Sequence, residues 1–119
     1  MSEENPVTAN ELRNGLRRSL KAALADLDSD AFVDSLEQAT EADRAAAAIT
    51  RGEVYRTWRR LNNLELDLIR NQLRALEPEL VRATQELAGA RAKLDEVAGY
   101  LETVNSFLAL VKRVISPGG

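Results

Sequence analysis

Apolar residues recur along this chain at helical spacing. Leu12, Leu16, Leu20, Leu24 and Leu27 follow one another mostly in steps of four, which lays one stripe along a helix. Arg13, Arg17, Arg18 and Lys21 form the polar face beside it. Thr8 or Asn10 supplies an N-cap, and residues 1–8 read as a flexible lead. The stretch at 26–30, with three Asp and one Ser, ends this period, because both types compete for backbone hydrogen bonds and suit turns and caps. A second helix is expected over 31–49 through Phe32, Val33 and Leu36, so that residues 9–49 form a helical hairpin. Thr50 and Gly52 mark the next boundary.

Beyond it the pattern becomes a heptad. Leu66, Leu73, Leu80, Leu87, Leu94, Leu101, Leu108 and Ile115 occupy one core position, and Ile69, Leu76, Ala83, Ala90, Val97, Val104 and Val111 the other. A repeat held this long implies a left-handed seam between helices. The expected fold is therefore all-α: two short N-terminal helices, then a long coiled-coil helix over 53–115, then a flexible tail at 116–119. Unbroken, 63 residues at ~1.5 Å rise would span roughly 95 Å. The expected state is an oligomeric coiled coil or helical bundle, from dimer to tetramer. Pro78 faces away from the seam and either kinks this helix or breaks it into a hairpin.

Composition supports the helical reading. Eighteen Leu and eighteen Ala stand against five aromatic residues, whereas sheets favour β-branched and aromatic types. The net charge is −3, which weighs against a general nucleic-acid binder. The charges fall in blocks: residues 26–43 carry seven acidic side chains and no basic one, and residues 44–74 carry seven Arg and three acidic residues. Opposite blocks favour folding the second helix back on the third, or a head-to-tail contact between chains.

Two local motifs carry candidate chemistry. The twelve residues from Asp26 resemble an EF-hand loop, with Asp26, Asp28, Asp30, Asp34 and Glu37 at the positions of calcium ligands. Ala31 stands where that motif requires Gly, and a polar turn leading into an acidic helix start accounts for the same residues. In YRTWRRL, Tyr55, Trp58 and Leu61 at three-residue steps read as a helix anchor, and Arg56, Arg59 and Arg60 as a possible anionic contact.

The chain has no His and no Cys, so it lacks the commonest neutral-pH acid–base group and any thiolate chemistry. Neither a phosphate-binding loop nor a secretory or membrane-spanning segment is evident. The expectation is a cytoplasmic, non-enzymatic coiled-coil assembly protein, a scaffold, adaptor or structural subunit without cofactor, self-associating and binding a further protein. Alternatives are a helical chaperone that masks a partner's amphipathic helix, a calcium-responsive module, and a binder of anionic surfaces or nucleic acid. Contact with nucleic acid or a membrane surface is the less favoured partner assignment.

Overall fold

Thr8, the first of the residues described (8–116) in this computed structural model, starts the first helix by accepting a hydrogen bond from the Glu11 amide at 3.0 Å. Six α-helices follow: α1 (Ala9–Leu27), α2 (Asp30–Glu37), α3 (Glu41–Asn63), α4 (Leu66–Ala75), α5 (Glu77–Ala90) and α6 (Val97–Ile115). A 3₁₀ turn, Arg91–Lys93, links the last two. The first helix packs most extensively on α3 and also meets α4 and α5. The last lies against α3 and α5, with a smaller contact to α4. These elements form a four-cornered bundle, with α1 and α6 on one diagonal and α3 and α4–α5 on the other. The short α2 touches α1 and α6.

The long coiled-coil helix is absent. The molecule measures 52 × 35 × 19 Å with a radius of gyration of 15.2 Å, too short for a rod of roughly 95 Å. Residues 53–115 form the end of α3 and three further helices, separated at Leu64–Glu65, at Leu76 and at 91–96. The heptad face survives these breaks and turns inward. Eleven of its fifteen positions are buried, while Leu66, Ala83, Ala90 and Leu94 are partly buried against the same core. An amphipathic stripe records which side of a helix is covered. It does not record whether the helix continues, so a globular bundle and a long seam leave nearly the same pattern. The coiled-coil assembly role fails with the rod. The chaperone alternative fails too, since the long apolar face it requires is occupied within the chain.

Each break has its own cause. Pro78 lies in the first turn of α5, where its missing N–H costs nothing and its ring disfavours helix at the preceding residue. Leu76 closes α4 with φ −102° and ψ 7°, and its carbonyl accepts from the Leu80 amide at 2.9 Å. The other two breaks contain neither Pro nor Gly. At the end of α3, Leu64 is extended and its carbonyl accepts from Arg13 Nη1 of α1 at 3.3 Å. Before α6, Arg91 reaches across to Asp26 of α1 at 2.8 Å.

The hairpin expected over 9–49 also divides differently. Ser29 caps α2 by accepting from the Phe32 amide, and Thr40 caps α3 by accepting from the Asp43 amide at 3.1 Å. Arg44 closes the turn between them, donating to the carbonyls of Leu36 and Ala39 at 3.3 and 2.7 Å. With Thr40 as the start, α3 runs through Thr50 and Gly52 without a boundary, and Thr50 is buried. Residues 1–7 and 117–119, expected as loose ends, lie outside the described residues.

Candidate functional site

The side chains of α3 divide sharply between two sides. Ala47, Thr50, Val54, Thr57 and Leu61 are buried. The opposite side carries Glu41, Ala45, Ala48, Ile49, Gly52, Tyr55, Arg56 and Arg59, all exposed except the half-covered Gly52. Ile49 is 65% exposed and Tyr55 45%. Such exposure is ordinary for a single apolar side chain, but several on one helix face form a patch.

Neighbouring helices flank this face without covering it. On one flank α1 runs antiparallel to α3: Lys21 lies 5.5 Å above the Trp58 ring, and Asp28 accepts from Arg51 Nε and Nη2 at 2.7 and 2.9 Å. On the other flank α6 runs parallel: Thr50 donates to Asn105, Lys112 to Glu53 at 2.9 Å, and Arg60 to Ser116. Hydrogen bonding to Arg51 holds the Asp28 carboxyl below its ordinary range. Lys112 and then Arg56 do the same for Glu53. Within the face, Arg56 donates to Glu53 at 3.0 Å and the Arg59 guanidinium lies 5.8 Å from the Tyr55 ring.

This placement corrects the expected helix anchor. Steps of three advance a helix by 300°, so Tyr55, Trp58 and Leu61 drift around it rather than line one side. Leu61 is buried, Trp58 is half-buried beneath Lys21, and Tyr55 points outward. The three arginines do not form a single anion cradle either. Arg56 pairs with Glu53, Arg59 stacks on Tyr55, and Arg60 turns toward Ser116.

The calcium loop is likewise corrected. Most of the twelve residues are helical, since α1 extends to Leu27 and α2 begins at Asp30. The five carboxylates diverge. Asp28 pairs with Arg51, and Asp30, Asp34 and Glu37 lie along α2. Asp26 turns inward, 6% exposed, and accepts from Arg91 Nε at 2.8 Å and from the Tyr100 hydroxyl at 3.2 Å. No group of three or more carboxylates among the described residues is placed to hold a metal ion.

The Asp26–Arg91–Tyr100 cluster is a connection that sequence reading missed. It joins α1 to the turn before α6 and to α6 itself. Burial, followed by the neighbouring Asp26 charge, pushes the Tyr100 hydroxyl well above the ordinary phenol range. The Phe32 ring of α2 packs 5.6 Å from the Tyr100 ring. Tyr100 directly precedes the heptad residue Leu101, whereas Asp26 is hidden inside the calcium-like spacing.

Charge is polarised along the bundle. Around the start of α3 lie the acidic turn and α2, with Asp34, Asp43 and Asp95 lining a recess of about 400 Å³. Around its end lie Arg13, Arg17 and Lys21 of α1 and Lys112 and Arg113 of α6. Among the described residues no helix is long and apolar enough to cross a membrane. Comparison with protein-family models, curated proteins and solved structures returns no match.

Proposed function

We propose that this chain is a helical protein-binding module whose contact surface is the outward face of α3. The observation that carries the reading is the joint exposure of Ile49 and Tyr55 on one helix face beside Arg56 and Arg59. Tyr and Arg are enriched among the residues that dominate protein interfaces, because they bring large contact area together with directional hydrogen bonding. The underlying scaffold supports such a role: the same helix is anchored by Val54 and Leu61, both 0% exposed. A rigid support lowers the entropy lost on binding. The assignment is to binding rather than catalysis, in keeping with a chain that contains neither His nor Cys.

The test is crosslinking in cells with a photoreactive phenylalanine analogue placed at Ile49 or Tyr55. Gln85, exposed on α5, serves as the reference position. Protein adducts concentrated at 49 and 55 are the expected outcome. Adducts no more abundant there than at 85 would remove the reading.

A further inference from the structure

We infer that the partner of the α3 face is a second copy of this chain, bound about a two-fold axis beside Gly52 with the two α3 helices antiparallel. The inference rests on the α3 face being a contact surface and adds the identity of what covers it.

The arrangement of the face is self-complementary. Gly52 lies near its middle. An axis at that point sets Ile49 of one copy opposite Tyr55 of the other, Ala48 opposite Arg56, and Ala45 opposite Arg59. Each large side chain then meets a small or apolar one. Two copies of a surface can pair in this way only when its halves are mutually complementary, as an isologous interface requires. Gly52 also permits close approach. What now lies over it is the end of the Arg56 side chain, with Nη1 3.2 Å from where a Cβ would stand. That flexible group can swing aside.

Charge selects the antiparallel orientation. Near the start of α3 the exposed surface is acidic, with Glu37 and Glu41 from α2 and α3 and Asp95 and Glu102 from the α6 side. Arg44 in this region is directed to the carbonyls that end α2, and Arg51 is paired with Asp28. Near the end of α3 the surface is basic, with Arg56, Arg59 and Arg60 beside Lys21 and Lys112. The acidic Glu53 there is already held by Lys112 and Arg56. An antiparallel pair lays the acidic end of each copy along the basic end of the other. A parallel pair would place like charges together at both ends, which is costly across an interface.

The absence of native cysteine makes the geometry directly testable. Single cysteines are introduced as Gly52→Cys, Ala45→Cys, Arg59→Cys and Gln85→Cys, and the intact chain is treated with a short bis-maleimide at micromolar concentration. Gly52→Cys should form a covalent dimer. Ala45→Cys mixed with Arg59→Cys should crosslink across copies more than either does alone, and Gln85→Cys should remain single. Sedimentation equilibrium should show a dimer whose Kd rises at least about tenfold in Ile49→Asp and several-fold between about 50 and 500 mM salt. The helical signal of Ile49→Asp should stay at the parent value, and its Tm should match the parent's once both are diluted to monomer, separating loss of pairing from loss of fold. A monomer at these concentrations, or preferential 45-to-45 and 59-to-59 crosslinks, overturns the inference. Photo-adducts at Ile49 to a different protein without Gly52→Cys dimers also overturn it, yet leave the binding-module reading intact. Absence of enriched adducts at Ile49 and Tyr55, together with a monomer, removes both.

Discussion

Residues 66–115 and α3 use apolar residues to opposite ends. The later segment repeats its heptad without a polar interruption, and its helices turn that stripe into the shared core. By contrast α3 has four consecutive Ala and only scattered large apolar positions, yet it leaves Ile49 and Tyr55 in water. A dense pattern is therefore a guide to what the fold consumes. Ile49 and Tyr55 lie where the pattern is thin, on a side of α3 that no other described element covers, whereas the exposed Leu68 and Val81 of the later segment lie off its heptad positions.

The contrast is sharpest under truncation of a buried position. Leu73, 0% exposed in α4, should cost roughly 2–5 kcal/mol as Leu73→Ala, since both transfer energy and cavity count. Leu68, 63% exposed in the same helix, should change stability by no more than about 0.5 kcal/mol as Leu68→Ala. Urea unfolding of the two variants measures the difference. Equal losses would mean that the inward turn of the heptad face is misassigned.

A smaller effect is expected at the cross-link between α1 and the turn before α6. Asp26→Ala should cost roughly 2 kcal/mol, chiefly by leaving the Tyr100 hydroxyl without its acceptor. The Arg91 contribution is discounted because its side chain is 51% exposed. Thermal unfolding should show this loss, and it should exceed that of Arg51→Ala at the exposed Asp28 pair.

Tyr100→Phe should cost about 1 kcal/mol near neutrality and alter the alkaline limb. The folded state holds the phenol neutral above its ordinary range, so the unfolded chain loses that proton first as pH rises. The associated stability is complete below about pH 10 and declines above it. Tyr100→Phe should flatten that decline, as measured by urea midpoints from pH 8 to pH 11. An unchanged slope would place the alkaline sensitivity elsewhere.

The faces of the helices were legible in the sequence, but their ends were only partly so. Every heptad position is buried or partly buried, and Leu61 is a core residue. Pro78 signalled one break, and Thr40 followed by acidic residues at 41 and 43 offered a capping signal for α3. The breaks at Leu64 and at 91–96 had no local breaker. They coincide with contacts from Arg13 and Arg91, whose partners lie 51 and 65 residues away. A basic residue reads locally as surface charge, so its bond to a distant carbonyl or carboxylate leaves no trace in spacing. The α3 site is half visible: Tyr55, Arg56 and Arg59 stand out by residue type, but a three-residue step drifts around a helix, so the spacing of Tyr55, Trp58 and Leu61 does not reveal that Tyr55 faces outward.

The bond between Arg91 and Asp26 also has a consequence in time. A helical segment can relax in about a microsecond from local contacts alone, and nothing within residues 90–97 obliges the chain to reverse there. The cross-bond that holds the reversal depends on α1 arriving with Asp26 after a long loop has closed, a step that delays distant contacts relative to local ones. Refolding should therefore gain helical signal before α6 is docked, with final consolidation governed by the encounter of two distant segments.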